Sequence, residues 1–306
     1  MLHQRTLAKK ISVTGIGLHS GKKVTLTLYP APANFGIQFK RIDLSNSSTV
    51  KACSKTVGAT ENNTTLGQGR EAIHTVEHLL AVFYGLSIDN VYCEIDGPEV
   101  PIMDGSGASF VFIVKEAGIT TLPSTKKFLV VLNPVEVKLE DKWARIEPAT
   151  KLSINSTIVF AHPIIQEQEM SFEFSCENFI NEISRSRTFG LLKDVDMLKR
   201  KGLIKGGSLD NAIVLSDFNV VNPEGLRFEN EFIRHKILDT LGDISLLGHE
   251  IAAKITTYKS GHKLHDLLCK KLLATPSAYE IVSASLLEQE SLEPFALPKT
   301  MSPVLQ

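Results

Sequence analysis

The run "KKISVTGIGLHSGKKVTLTLYPAP" alternates apolar and polar positions on either side of a glycine-rich turn at Gly15 to Gly21. Period-two alternation predicts strands with one buried face. "FGIQFKR" and "DNVYCEIDG" continue the β-signal. Between them the period changes. Ile73, Val76, Leu79, Leu80 and Phe83 fall at helical spacing and Gly85 ends the run, which predicts a helix over 73–83. A second helix is predicted in "ASFVFIVKEAG", after the turn-rich "DGPEVPIMDGSG".

"LPSTKK" at 122–127 reads as a connector. β-signal resumes in "FLVVLNPVEVKLEDKWARIEP" and "KLSINSTIVF", and helical pattern returns at 190–201 and 229–250. Strands and helices therefore recur in a similar order. This predicts an α+β chain of two similarly built domains, residues 1–125 and 126–285, followed by a Pro-rich, loosely attached tail at 286–306.

A length of 306 residues accommodates two domains of ordinary size, and 43% hydrophobic with 22% charged residues describes a soluble globular protein. A formal charge of −1 gives no electrostatic reason to expect a nucleic-acid or anionic-membrane partner. The cysteines (Cys53, Cys93, Cys176, Cys269) are scattered without a C-x-x-C pair. "MLHQRTLAKKISVTG" lacks the apolar core of a signal peptide, and no window approaches the roughly 20 apolar residues of a membrane span. These features predict a cytoplasmic chain without an integral membrane segment.

Two stretches carry candidate chemistry. "HTVEH" places His74 and His78 four residues apart, with Glu77 beside the second, in the H-x-x-E-H pattern of one class of zinc peptidases. In "ENEFIRHKILDTLGDISLLGHEI", His235, Asp239 and Asp243 fall at i, i+4 and i+8, on one stripe of a largely apolar helix. Buried charges without partners are costly, so the stripe implies a metal or an ion-pair partner. Two ligand sets fit: His74 and His78 with a distant glutamate, or His78 with His235 and Asp239. The second gives the later stripe a role. In either set, Glu77 sits where it can take a proton from a metal-activated water. His262, in "YKSGHKLHD", stands on a loop or at a helix start, where it can stabilise an oxyanion and protonate a leaving group, with Asp243 to orient it; Glu77, once it has taken its proton, is the alternative donor. His265 has no functional argument at this level.

"TVEHLLA", "DGPEVPIMDGSGASF", "SRTFG", "GLRFENEFIRHKILDTLGD" and "YKSGH", with the opening "QRTLAKKISVTGIGLHSGKKVTLTLYPAPANFGI", closely resemble the zinc-dependent UDP-3-O-acyl-N-acetylglucosamine deacetylases of lipid A biosynthesis. The resemblance implies two α/β sandwich domains with the active site between them, and a hydrolase that removes acetate from the acylated sugar nucleotide. It implies one catalytic Zn²⁺, with Fe²⁺ as the alternative ion, on His78, His235 and Asp239. It further implies Glu77 as general base, His262 with Asp243 as the catalytic histidine pair, and Thr188 as oxyanion support. Among substrate contacts it implies Phe189 in the pocket and Lys236 beside a ligand. Leu191 and Val195, with Leu192 and Leu198, would belong to an insert near 189–217 that forms the passage for the acyl chain. Lys142, Lys236 and Lys259 are candidates for the diphosphate, and Phe160 for uracil. The expected partner is this small molecule alone, with the enzyme a monomer. "SKTVGATENNTTLGQG" departs from relatives that carry cysteine there, so contacts of Asn62, Asn63 and Thr65 do not transfer. The rival reading is a zinc peptidase in which His74 is a ligand; a second rival is a sugar-nucleotide-binding protein with a structural metal.

Overall fold

The computed structural model describes residues 2–285, and the tail expected at 286–306 lies outside them. In the first half the chain forms β1 (His3–Leu7), β2 (Ile11–Ile16), β3 (Lys23–Pro30), β4 (Ile37–Arg41), β5 (Thr49–Lys51), α1 (Glu77–Gly85), β6 (Val91–Ile95), α2 (Ala108–Ala117) and β7 (Ile119–Thr125). The sheet order is β2-β3-β6-β4-β5, with β4 and β6 parallel and the other neighbours antiparallel. Alternation supplies its inner face: Val24, Leu26 and Leu28 of β3 are buried, and the intervening threonines are not.

The second half forms β8 (Lys127–Val131), β9 (Val135–Leu139), β10 (Lys142–Pro148), β11 (Ser153–Val159), β12 (Glu167–Glu173) and a short α3 (Cys176–Asn178) that runs into a π-helical turn. It continues with β13 (Phe189–Leu191), α4 (Leu192–Arg200), β14 (Ile213–Leu215), α5 (Glu231–Ile244), β15 (Glu250–Tyr258), α6 (His262–Leu273) and β16 (Tyr279–Ser283). Here the main path is β9-β10-β15-β11-β12, with β11 and β15 parallel and the other neighbours along it antiparallel, while β8 adds to β15 in parallel and β16 to β8 antiparallel. Strand for strand the main path repeats the order and directions of the first sheet. In each half one helix precedes the central strand (α1, α5) and one follows it (α2, α6). The mixed α+β class is therefore as expected.

Several boundaries differ from the sequence pattern. The first helix begins at Glu77, not Ile73, because Thr75 adopts φ +59° and His74 is drawn into an extended bridge with Glu99. The 122–127 connector is instead the end of β7 and start of β8; β7 pairs with β1, and the register shifts between His3 and Arg5, opposite Pro123. The helix expected over 229–250 stops at Ile244, a 3₁₀ turn follows, and Gly248 at φ +81° caps it before β15.

Every residue of α1 is buried, and α1 crosses α5 so that Leu79, Val82 and Phe83 join Ile237, Leu238 and Leu241 in one core. Each such side chain contributes about 1.5–3 kcal/mol on burial. The close crossing depends on Gly242: a Cβ there would collide with the Glu77 carbonyl oxygen. The repeat thus sets the first turn of α1 against the C-terminal half of α5. No helix among the described residues is long and apolar enough to cross a membrane.

Candidate active site

The crossing brings three buried side chains together. His78 comes from the first turn of α1, and His235 and Asp239 lie one turn apart on α5. Asp239 Oδ1 is 3.3 Å from His235 Nε2 and 3.6 Å from His78 Nε2, and one ligand atom of each residue lies within 4.8 Å of the others. His235 Nδ1 is 3.1 Å from the Ser186 carbonyl oxygen, to which it donates, so the lone pair of Nε2 points at the cluster. Burial, with the adjacent His78 and Lys236 and against Asp239, lowers His235 to about 3, which keeps the ring neutral and fit to coordinate.

Asp239 Oδ1 has no hydrogen-bond partner among the described residues, although its carboxyl is held well below the usual range by His235 and Lys236 against the effect of burial. A buried carboxylate oxygen left unpaired costs more than the 1–3 kcal/mol of a neutral group. Here it faces two imidazole nitrogens, the donor set of a divalent cation with an open position. The residues fit such an ion. A second group, Asp243, His262 and His265, also clusters, but its atoms are committed to one another. His262 Nδ1 lies 2.8 Å and His265 Nδ1 2.7 Å from Asp243 Oδ2, while Thr64 Oγ1 donates to Asp243 Oδ1 at 2.5 Å. That group is a hydrogen-bonded unit, not a vacant donor set.

Glu77 leads α1, where a carboxylate is favoured by the helix dipole. Its Oε2 accepts the Thr64 backbone N–H at 3.0 Å, and its Oε1 faces His262 Nε2 at 3.8 Å. Burial pushes the Glu77 carboxyl up, against His262 and His78. For His262, burial opposes the charge, but Asp243 and then Glu77 outweigh it and push the ring up to about 10. A carboxyl group and an imidazole thus face one another, with Glu77 one residue from the cluster member His78. His262 is the first residue of α6, after Gly261, as its Ser-Gly turn suggests.

The strand entering β13 borders the cluster. Ser186 holds His235, Thr188 follows with its backbone fixed to Gly105 and Ile213, and the Phe189 ring stands 6.4 Å from the His235 ring. Arg187 anchors this strand: it is fully buried, and its guanidinium pairs with Glu231, one turn before His235, and with Glu224. Lys236 Nζ donates to Asp239 Oδ2 at 2.8 Å and lies over the Phe189 ring. A cleft of about 280 Å³ is lined by Lys142, Phe160, Lys236 and Lys259, and a neighbouring one of about 460 Å³ by Lys142, Lys259, Asn62 and His262. Lys259 is paired with Asp141, which dilutes its charge. Leu191 packs with Phe189 and Phe160 in a separate apolar cluster around Ile158, Ile213 and Phe232, and Val195 is half-buried on α4.

His74 stands apart from the cluster. It precedes the helix, its backbone bonds to Pro98 and Val100, and its Nδ1 lies 3.0 Å from Thr65 Oγ1. Because it is not on α1, the four-residue spacing to His78 does not put the two rings on one helical face. Sequence reasoning missed Thr64, which holds both Glu77 and Asp243, and the Arg187–Glu231 pair. Thr64 sits inside the stretch set aside as divergent, so only the structure could reveal it.

The family profile for UDP-3-O-acyl N-acetylglycosamine deacetylases (LpxC) matches residues 4–274. The chain belongs to this family. A UDP-3-O-acyl-N-acetylglucosamine deacetylase of Thioalkalivibrio sulfidiphilus is 47% identical over 285 residues, covering 92% of this chain and 94% of the relative. The Myxococcus xanthus enzyme of the same name is 48% identical over 290 residues (95% and 92% coverage), and that of Methylococcus capsulatus 46% over 302 (98% of each). The family is made up of zinc-dependent deacetylases of lipid A biosynthesis.

Proposed function

We propose that the chain hydrolyses the acetamide of UDP-3-O-(3-hydroxyacyl)-N-acetylglucosamine in the cytoplasm, releasing acetate and the free amine. The observation that carries this reading is the buried, unpartnered Asp239 oxygen between two imidazoles, with the Glu77 carboxylate one residue from His78 and facing His262. His78, His235 and Asp239 would hold a single Zn²⁺, or Fe²⁺, which the same donors suit. When bound, the ion supplies Lewis acidity toward water and toward the amide carbonyl.

The chain's own groups do the rest. Glu77 Oε1, left free by the Thr64 contact at Oε2, takes a proton as water adds to the carbonyl carbon. Thr188, beside the cluster, supports the developing oxyanion. The C–N bond then breaks, and the amine nitrogen takes a proton. His262, kept cationic by Asp243, is the donor this geometry favours. Lys236 and Phe189 flank the cluster on the substrate side, and Lys142, Lys259 and Phe160 line the cleft for the diphosphate and uracil. The acyl chain is assigned to the apolar surface of Phe189, Leu191 and Val195. A helix that merely capped the core would bury its apolar stripe, whereas α4 buries none of its residues and exposes Leu192 and Met197.

We divide the chain into two α/β sandwich domains, 1–125 and 126–285, on the repeated strand order; Glu77 and His78 would then come from one and His235, Asp239 and His262 from the other. Metal-replete enzyme is expected to release acetate from the acylated sugar nucleotide and to leave a peptide substrate uncut. Peptide cleavage without acetate release would overturn the proposal in favour of a peptidase.

A further inference from the structure

Helix α6 presents two imidazoles to one carboxylate oxygen. His262 and His265 are three residues apart, hence on one face, and their Nδ1 atoms lie 2.8 and 2.7 Å from Asp243 Oδ2. They differ in surroundings. His262 borders the cleft, whereas His265 is 1% exposed. The far nitrogen of His265, Nε2, lies 2.9 Å from Ser260 Oγ. Thr240 Oγ1 is 3.4 Å from the same nitrogen but gives its proton to the Lys236 carbonyl oxygen at 2.8 Å. With a carboxylate at Nδ1, that nitrogen carries a hydrogen and donates it, while Nε2 pairs with the Ser260 hydroxyl. Both ring nitrogens are thus spent inside the protein, and neither faces the reacting atoms.

A carboxylate oxygen offers two lone pairs, so when one meets His265 the other is fixed in direction. We propose that His265 is a positioning residue for His262: its Nδ1–H pins the Asp243 carboxylate so that the remaining lone pair of Oδ2 meets His262 Nδ1. The role rests on the reading of His262 as the acid of the reaction. Among the described residues, Thr64 holds the other oxygen. Without His265, the broad terminal torsion of an aspartate lets the group turn. His262 then loses its bearing toward Glu77, and small misplacements of a reacting group cost up to about 10²-fold in rate.

The test uses the zinc-loaded full chain. His265→Asn keeps a donor near the Nδ1 position, His265→Gln keeps one only near Nε2, and His265→Leu keeps none. The Leu and Gln variants are expected to lose about 10–100-fold in kcat with KM and zinc content unchanged, while Asn restores most of kcat. In a His262→Ala background, His265→Leu is expected to add no further loss, because residues acting as a unit are not additive. If Leu fails to fold, the contrast between Asn and Gln decides. Equal loss in Asn and Gln, or a full His265→Leu penalty in the His262→Ala background, overturns the role. Full activity in His262→Ala alone overturns the assignment of His262 itself, and this role with it.

Discussion

Asp239→Ala is expected to strip the metal and abolish acetate release. Among the described residues, Asp239 Oδ1 is the carboxylate oxygen that faces both His78 and His235, and two neutral imidazoles alone give a divalent cation no charge compensation. Substituting even a residue that only supports a ligand costs 10–100-fold in metal affinity, so losing the ligand is expected to cost more than about 100-fold. Metal analysis after gel filtration reads this directly. His74→Asn is the matched control, because the amide nitrogen keeps the donor toward Thr65 and the ring is not in the cluster. It is expected to retain one zinc per chain. Zinc lost from His74→Asn and kept by Asp239→Ala would restore the peptidase ligand set.

Glu77→Gln separates the base from the ligands. The amide oxygen still accepts the Thr64 N–H, so the turn entering α1 keeps its contact. What disappears is a carboxylate that burial already destabilises, so the thermal midpoint is expected to hold or rise. Zinc content and substrate affinity are expected to persist, while kcat falls by about 10²–10⁴-fold, the usual worth of a general base. Stopped assays of acetate with parallel zinc analysis check this. Retained kcat would show that Glu77 is not the base.

What the sequence made legible was periodic. The alternation of β3 and the i, i+4, i+8 stripe of His235, Asp239 and Asp243 are local patterns, and both appear in the structure as read. The repeated order of strands and helices was legible coarsely for the same reason. The failures were long-range. β1 and β7 pair across more than a hundred residues, and nothing local in "LPSTKK" announces that partner. Leu246 and Leu247, in a 3₁₀ turn, continue the apolar spacing of α5, so the helical pattern runs on to residue 250 and hides the start of β15 at Glu250. The start of α1 was missed because Thr75 takes a left-handed conformation that its apolar neighbours do not betray. In the site, carboxylates and imidazoles at helical spacing could be paired on paper. Thr64, Ser186 and His265 act through a backbone group, a carbonyl and a hydrogen bond to another side chain, which spacing does not encode.

The most direct test of the account is a titration of Zn²⁺ into metal-free chain with bound metal and acetate release followed together. A single ion on His78, His235 and Asp239 predicts that activity rises in proportion to bound zinc and reaches its plateau at one ion per chain, and that Asp239→Ala binds none under the same conditions. Full activity in the metal-free chain, or a rise that begins only after a first ion has bound elsewhere, would contradict it.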